Sequence, residues 1–246
     1  MISKSDIKYI QSLSHKKFRD EAGLFIVEGV KMTHELLLEN KQLVKKLFAV
    51  EEWIKTNKSL VGKSIEIVQV EDFELQKIST QKNPQQVIAL VSMPEFSIKT
   101  YNPDGVTVVL DRLQDPGNLG TIIRTCDWFG VKTIICSTDA VDAFNPKVVQ
   151  SAMGSILRVN IIYSDIVEFL ASHPEVPKYA AVLNGKSIHQ IDFKKPCIII
   201  IGNESLGISD QILGKEVTKI SIPKYGSAES LNAAIAISII LSNCVR

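Results

Sequence analysis

The chain has 246 residues, of which 45% are hydrophobic and 22% are charged, and its formal net charge is +1. This length and composition allow a substantial buried core, in one large domain or two small ones. We expect neither a membrane span nor a signal peptide, because no apolar run reaches the ~18 residues of a spanning helix and no apolar segment follows the amino terminus. The balanced charge neither favours nor excludes a nucleic-acid partner, and any such contact would depend on local basic patches.

The four cysteines, Cys126, Cys136, Cys197 and Cys244, are scattered along the chain without the Cys-x-x-Cys spacing of a zinc or redox motif. We therefore expect neither a disulfide framework nor a structural zinc site, and a reducing cytoplasm is the expected compartment. The four histidines are also dispersed and form no ligand cluster, so no metal is expected.

The first part of the chain has the hydrophobic spacing of short alternating helices and strands. We predict helices at 3–12, after Gly29, at 51–58 and at 72–78, the last capped by Asp72, and strands at 24–27, 47–50, 65–70 and 87–91. The stretch 15–19 is polar and basic and has no predicted element. The pattern predicts a small α/β unit.

Residues 93–105 contain two prolines and a glycine and have no clear periodicity, which is typical of a linker. We therefore predict three segments: a first domain at 1–96, a linker at 97–104 and a second domain at 105–246.

The second domain alternates apolar strands with helices, which predicts a mostly parallel sheet covered on both faces. The strands are predicted at 106–110, 133–136, 159–163, 178–183, 197–201 and 219–222, and the helices at 118–129, 145–153, 164–173 and 230–245. Ligands of such sheets bind at the loops that leave the carboxyl ends of the strands, so these loops are the expected site.

Three of these loops carry polar residues and glycines. The first leads from the strand at 106–110 into a helix that Asn118 is predicted to cap, with Arg124 six residues further on. The second, 202–207, follows a run of isoleucines, and its glycines let the backbone approach a ligand. The third, 222–232, opens the last helix, which Ser230 is predicted to cap. Each loop alone has an ordinary explanation as a turn, a cap or a solvated face, but three in one sheet favour a ligand site.

These three segments resemble motifs 1, 2 and 3 of the SpoU (TrmH-like) RNA ribose methyltransferases. Motif 1 corresponds to residues 118–125, motif 2 to 201–207 and motif 3 to 222–236, and residues 151–155 match the usual pattern between the first two. The resemblance covers residues 104–246. Residues 14–31 are similar, less specifically, to the amino-terminal substrate-binding domain of the family, which has an L30e-like fold.

The resemblance implies an α/β fold whose carboxyl-terminal parallel-sheet domain forms a trefoil knot, a homodimer, and S-adenosylmethionine (AdoMet) as cofactor. It implies a cofactor site made by Leu183, Asn184, Gly185, Gly202, Asn203, Glu204, Gly207, Ile222, Leu231, Asn232 and Ala233. It implies a catalytic set of Arg124, Asn118, Glu204, Ser230 and Asn232, and RNA contacts from Lys16, Lys17, Arg19 and Arg124.

Within that set the family gives Arg124 the central role, either as a general base or as an anchor for the nucleotide phosphate. A guanidinium stays protonated in proteins, so the anchor role fits its chemistry more easily, but both remain open. Asn118 and Ser230 would orient the ribose, Asn232 would fix its loop, and Glu204 would hold the motif 2 loop and contact Arg124. Lys224 stands where the family often has methionine.

Three other functions remain alternatives. A nucleotide-dependent oxidoreductase would need a Gly-x-Gly-x-x-Gly turn after the first strand, and the sequence lacks it. A non-catalytic RNA-binding homologue would not need Arg124 and Asn118, which are both present. A methyltransferase of RNA bases from the same superfamily is the nearest rival. The substrate is rRNA or tRNA, and the small first domain, typical of the rRNA branch, favours rRNA.

Overall fold

The computed structural model describes residues 2–214 and 216–245. Contacts between residues divide the chain into two compact units. The first comprises the chain up to Glu95 together with Phe144–Leu157, and the second comprises Phe96–Ala143 and the chain from Arg158 onward.

The elements of the first unit are β1 (Leu24–Glu28), β2 (Val44–Ala49), β3 (Glu66–Gln69) and β4 (Val87–Ser92), with α1 (Lys4–Ser12), α2 (Lys16–Ala22), α3 (Val30–Glu39), α4 (Glu51–Val61) and α5 (Asp72–Ile78). The strands form a mixed sheet with the order β1-β4-β2-β3. β4 is antiparallel to β1 and to β2, whereas β2 and β3 are parallel. This agrees with the predicted small α/β unit.

Strand β4 shows why both faces of this sheet are covered. Val87, Ala89 and Val91 belong to one buried apolar cluster, whereas Ile88 and Leu90 belong to another. Successive side chains of a strand point to opposite faces, so a strand that is apolar at every position must be buried on both sides.

Helix α2 was not predicted, and it changes the interpretation of Arg19. That side chain is only 2% exposed, and its Nη1 donates to the carbonyl oxygens of Leu13 and Ser14, each at 2.8 Å. These carbonyls lie at the end of α1, where helix geometry leaves acceptors without partners. Arg19 therefore stabilises the end of a helix, and its prediction as an RNA contact is wrong.

The predicted cap of α5 is also wrong. Glu71, not Asp72, precedes the helix, and it forms a capping box with Glu74. Each of the two side chains accepts a hydrogen bond from the backbone N–H of the other residue. Neighbouring acidic residues can both cap a helix, so the sequence alone did not separate them.

The strands of the second unit are β5 (Val106–Leu110), β6 (Thr133–Cys136), β7 (Asn160–Tyr163), β8 (Lys178–Ser187), β9 (Cys197–Ile201) and β10 (Thr218–Ser221). They form a parallel sheet, as the sequence predicted, with the order β10-β8-β9-β5-β6-β7, which it did not predict. The helices are α6 (Pro116–Trp128), α8 (Ile166–Ala171), α9 (Asp210–Leu213) and α10 (Ala233–Cys244). In the part of the chain that the structure describes, no helix has the length and apolarity to span a membrane, and no cluster of side chains could hold a metal ion.

The strand order places a switch point between β5 and β9. From β5 the chain continues to β6 and β7 on one side, whereas β9 lies on the other side of β5. In open parallel sheets, the crevice outside the carboxyl ends at such a point is where ligands bind. The first two motif loops follow β5 and β9, so the fold brings them to the same crevice.

Helix α7 (Pro146–Ala152) belongs to the first unit although it lies between β6 and β7 in the sequence. Val149 is part of the apolar cluster of the first unit, and the ring of Phe144 lies 4.8 Å from that of Phe25. Asn145 caps the helix and Pro146 occupies its first turn, as predicted. The predicted boundaries assigned this segment to the second domain, because a local pattern identifies a helix but not the core that buries it.

Candidate functional site

The loops after β5 and β9 are joined by hydrogen bonds in which buried or half-buried polar groups take part. The Asp111 carboxylate accepts from the backbone N–H of Ser209 at 2.7 Å, and the Asn203 side-chain amide donates to the Arg112 carbonyl at 2.8 Å. The Asp111 N–H donates to the Ile201 carbonyl at 2.9 Å and continues the ladder between the strands. The two loops therefore form one connected structure at the switch point.

A chain of side-chain hydrogen bonds connects all three motif loops. Asn232 Nδ2 donates to Asn118 Oδ1 at 2.8 Å, and Asn118 Nδ2 donates to Glu204 Oε1, also at 2.8 Å. The carboxylate of Glu204 only accepts, so it orients the Asn118 amide and leaves the Asn118 oxygen facing Asn232. We call Asn232, Asn118 and Glu204 the amide relay.

The start of α6 explains why Asn118 is available to the relay. Asp115 caps this helix by accepting from the Asn118 N–H at 2.8 Å, and Pro116 occupies the first helical position. The prediction that Asn118 is the cap is therefore wrong. Its side chain lies in the first turn of the helix and does not cap it, so it can form hydrogen bonds with Glu204 and Asn232.

The start of α10 differs from the prediction in the same way. Asn232, not Ser230, caps this helix, and its Oδ1 accepts from the N–H groups of Ala234 and Ile235 at 2.9 and 3.3 Å. Ser230 lies exposed in the preceding loop. Asn232 therefore uses its oxygen for the helix and its nitrogen for the relay, because an amide carries an acceptor and a donor on separate atoms.

Arg124 lies on α6, about 9 Å along the helix axis from Asn118. Its side chain is exposed, and among the residues that the structure describes it has no hydrogen-bond or ion-pair partner. The predicted contact between Glu204 and Arg124 is not present, because the Glu204 carboxylate bonds Asn118 instead. An exposed cation on the helix that carries Asn118, with no partner among the described residues, is able to receive an anionic group of a substrate.

The motif 2 loop is a tight turn that depends on its first glycine. Asn203 and Gly207 exchange two backbone hydrogen bonds, and Asn203 Oδ1 accepts from the N–H groups of Ser205 and Leu206. A Cβ atom added to Gly202 would lie 2.2 Å from the carbonyl carbon of Gly207, which is far closer than atoms can approach. Only glycine fits at position 202, and the turn directs the side chain of Leu206 outward.

Strand β8 corrects the predicted strand end at Leu183. The strand continues to Ser187, but residues 181–185 leave the ladder, since pairing with β10 passes from Ala180 to Lys186. The backbone of Gly185 lies against that of Ile220, where an added Cβ would come within 2.5 Å. This bulge places Leu183 and Asn184 on the surface.

Comparison with known proteins identifies the family. The model of the SpoU rRNA methylase family matches residues 105–242, which is more than half of the chain. The chain belongs to the SpoU family. Residues 4–89 match a second family model, that of the MRM3-like substrate binding domain.

Relatives of this SpoU chain align over nearly its whole length. The 23S rRNA (guanosine(2553)-2′-O)-methyltransferase RlmP of Bacillus subtilis is 29% identical over 96% of this chain and 94% of its own. An rRNA methyltransferase from Sinorhizobium meliloti with bound AdoMet superposes with a TM-score of 0.88, at 30% identity, over 99% of this chain and 96% of that one. AviRb from Streptomyces viridochromogenes, a SpoU methyltransferase in complex with AdoMet, superposes with a TM-score of 0.85 at 26% identity. The superposition covers 99% of this chain and 97% of AviRb.

In this SpoU chain the bulge of β8 and the loops of motifs 2 and 3 carry exposed apolar side chains. Leu183, Leu206 and Leu231 are 69%, 72% and 48% exposed, and each belongs to a segment at the carboxyl edge of the sheet or directly before α10. Apolar groups next to a few fixed polar groups are the lining expected of a small-molecule site.

Sequence reasoning missed Asp111 and Arg112, which connect the first two loops. Arg112 has φ +57°, a conformation that non-glycine residues rarely adopt, and its N–H donates to Ser137 while its carbonyl accepts from Asn203. The sequence signal that could have identified them is Asp111, an acidic residue directly after a largely apolar strand, at the sheet edge where ligands bind.

Proposed function

We propose that the protein transfers the methyl group of AdoMet to a ribose 2′-OH of RNA. The observation that carries this proposal is the amide relay, which joins the three SpoU motif loops in one site, with the exposed Arg124 on the same helix as Asn118. Its relatives RlmP and AviRb, named as a 2′-O-methyltransferase and as a SpoU methyltransferase, support the same chemistry.

The residues at the site fit AdoMet in chemical character. The exposed Leu183, Leu206 and Leu231 side chains suit an apolar ring, and the tight backbone at Gly202 suits a ligand held through main-chain groups. Bound AdoMet would supply an electrophilic methyl group. We propose that it is held by Leu183, Asn184, Gly185, Gly202, Asn203, Glu204, Gly207, Ile222, Leu231, Asn232 and Ala233.

Replacement of Gly202 with alanine is expected to weaken AdoMet binding. The new methyl group would overlap the Gly207 backbone, so the motif 2 loop must open, and we expect the Kd to rise at least about tenfold. Calorimetric titration of AdoMet into the purified variant measures this change. The matched control is Gly226→Ala, because a Cβ at position 226 meets no atom within 4 Å. Equal affinity of the two variants would contradict the proposed role of the motif 2 loop.

The proposed chemistry assigns different roles to the side chains at the site. Arg124 anchors a phosphate of the substrate through its planar fork of donors, since a guanidinium does not accept a proton. Asn118 and Ser230 orient the ribose, and Glu204 and Asn232 keep Asn118 in position. The 2′-OH is a weak nucleophile, so accurate placement and exclusion of water supply much of the rate.

We propose rRNA as the substrate, bound in part by the first domain. The match to a substrate binding domain over residues 4–89 and the 23S rRNA specificity named for RlmP support this choice. Lys16 and Lys17 are proposed phosphate contacts. Both are exposed, and among the described residues they pair only with Asp20 at 2.6 Å and Glu21 at 4.0 Å on the same helix. Surface pairs of this kind are weak, so a phosphate can replace the carboxylates.

The same proposal includes four structural and cellular features of the protein: an L30e-like first domain, a trefoil knot in the second domain, a homodimer and a cytoplasmic location. The knot and the L30e-like fold rest on the resemblance of the motifs to the family. The homodimer is supported by Trp128 on α6 and Ile235 on α10, which are exposed apolar side chains on two helices that pack together. A second copy of the chain would cover them.

The proposal is tested with RNA from cells whose copy of this gene has been deleted, because that RNA carries the unmodified target. We expect the purified protein to transfer tritiated methyl groups from AdoMet to the rRNA fraction. The label should appear in 2′-O-methylated nucleosides, which protect the adjoining phosphodiester from alkali. Label in a base would indicate a base methyltransferase, label in the tRNA fraction would correct the substrate, and no label would favour a non-catalytic RNA-binding protein.

A further inference from the structure

The loop between β10 and α10 carries an aromatic side chain with nothing packed against it. We call residues 222–232 the motif 3 loop. Tyr225 in this loop is 94% exposed, the highest value among the large exposed apolar side chains of the described residues. Lys224 beside it is also exposed, and neither side chain has a hydrogen-bond, ion-pair or ring partner within residues 2–214 and 216–245.

Both ends of the motif 3 loop are fixed. At its start, the Ser221 hydroxyl donates to the Gly185 carbonyl at 2.8 Å, and Pro223 restricts the backbone that follows. At its end, Asn232 caps α10 and bonds Asn118. Tyr225 is therefore carried by a loop that is fixed to β8 at its start and ends at Asn232, a member of the amide relay.

The chemistry of this pair matches a single-stranded nucleotide. Proteins that bind single-stranded RNA stack unpaired bases on aromatic rings and hold the neighbouring phosphates with cations. A nucleotide whose ribose enters a catalytic pocket has left its helical stack and needs a new surface for its base. A second copy of the chain is a poorer match, because Tyr225 is an isolated aromatic among Lys224, Gly226 and Ser227 rather than part of an apolar face.

We propose that Tyr225 is the stacking platform for an unpaired base of the substrate RNA beside the methylated ribose, and that Lys224 contacts an adjacent phosphate. The proposal rests on the proposed function and adds a specificity-determining residue to it. Tyr225 acts on the RNA and not on AdoMet or on the fold, so its effects should be confined to RNA binding.

The test compares Tyr225→Ala, Tyr225→Leu and Tyr225→Phe in the methylation assay. Base stacking on an aromatic ring predicts that the first two raise the KM for RNA about 5- to 100-fold with little change in kcat, and that Tyr225→Phe remains close to wild type. The AdoMet Kd and the Tm should stay the same in all three. The control for loss of an exposed apolar side chain is Ile98→Ala in the linker at 97–104, outside the proposed RNA and AdoMet contacts, which should change none of these quantities.

A wild-type KM for Tyr225→Leu would overturn the proposal, because leucine is apolar but cannot stack. An AdoMet Kd that rises together with the KM would identify Tyr225 as part of the cofactor pocket, and dissociation of a dimer would identify an interface residue; both would overturn it. If the wild-type protein transfers no methyl group, the proposed function fails. The role of Tyr225 in base stacking is then tested by measuring RNA binding instead of methylation. A fluorescein-labelled 12-nucleotide adenosine RNA must then bind Tyr225→Ala more weakly than Tyr225→Phe, and equal binding overturns it.

Discussion

Replacement of Arg124 with alanine is expected to lower the kcat for RNA methylation by about 10²-fold or more, with an unchanged AdoMet Kd and Tm. Arg124 is exposed and has no partner among the described residues, so the fold loses nothing when the side chain is shortened. A substrate phosphate would lose its anchor, and even small misplacement of a reacting group costs about 10²-fold in rate. Steady-state kinetics with tritiated AdoMet, calorimetry and thermal unfolding measure the three quantities.

Two further variants separate the anchor role from other roles of Arg124. Arg124→Lys keeps the positive charge but lacks the planar pair of guanidinium donors, so its kcat should lie between those of Arg124→Ala and the wild type. Lys132→Ala removes another exposed cation of the second unit and should have no effect. A wild-type kcat for Arg124→Ala would remove this residue from the mechanism, and a weakened AdoMet Kd would place it in the cofactor pocket instead.

The sequence predicted the second unit well because its strands are buried on both faces. The bounds of β5, β6 and β9 match the predicted ranges, since an apolar run ended by polar or glycine-containing loops is a strong local signal. The parallel sheet and the loops that form the site followed from the alternation of strands and helices. The order of the strands did not, because pairing between β5 and β9 joins segments far apart in the chain.

Helix starts were predicted less well, for a physical reason. Loops at the site hold several residues able to cap a helix, and which one does so depends on bonds to other loops. Asp115 caps α6 and leaves Asn118 to the relay, whereas Asn232 both caps α10 and joins the relay. The burial of Arg19 depends likewise on the packing of α1 and α2, which local spacing does not specify.

The largest effect on the site is expected from Asn232→Asp. An aspartate caps a helix as well as asparagine, so α10 and the Tm should be preserved. The new carboxylate has no N–H to donate to Asn118, and Asn118 then lies between two carboxylates, one at each end of its amide. Whichever way the Asn118 amide turns, its oxygen faces the carboxylate of residue 232 or of Glu204, and two acceptors cannot form a hydrogen bond. We therefore expect the AdoMet Kd to rise at least about tenfold and kcat to fall.

A compensating substitution makes this prediction specific. Glu204→Gln alone should be nearly neutral, because the new amide can still present its oxygen to Asn118 Nδ2. Combined with Asn232→Asp, it allows the Asn118 amide to turn over, so that Nδ2 donates to the new carboxylate and Oδ1 accepts from the new amide. The relay is then complete in the opposite direction, and the double variant should bind AdoMet more tightly than Asn232→Asp alone. Calorimetry over the four proteins gives the coupling energy directly. Additive effects would mean that the three side chains do not act as a relay, even though their hydrogen bonds connect the three motif loops.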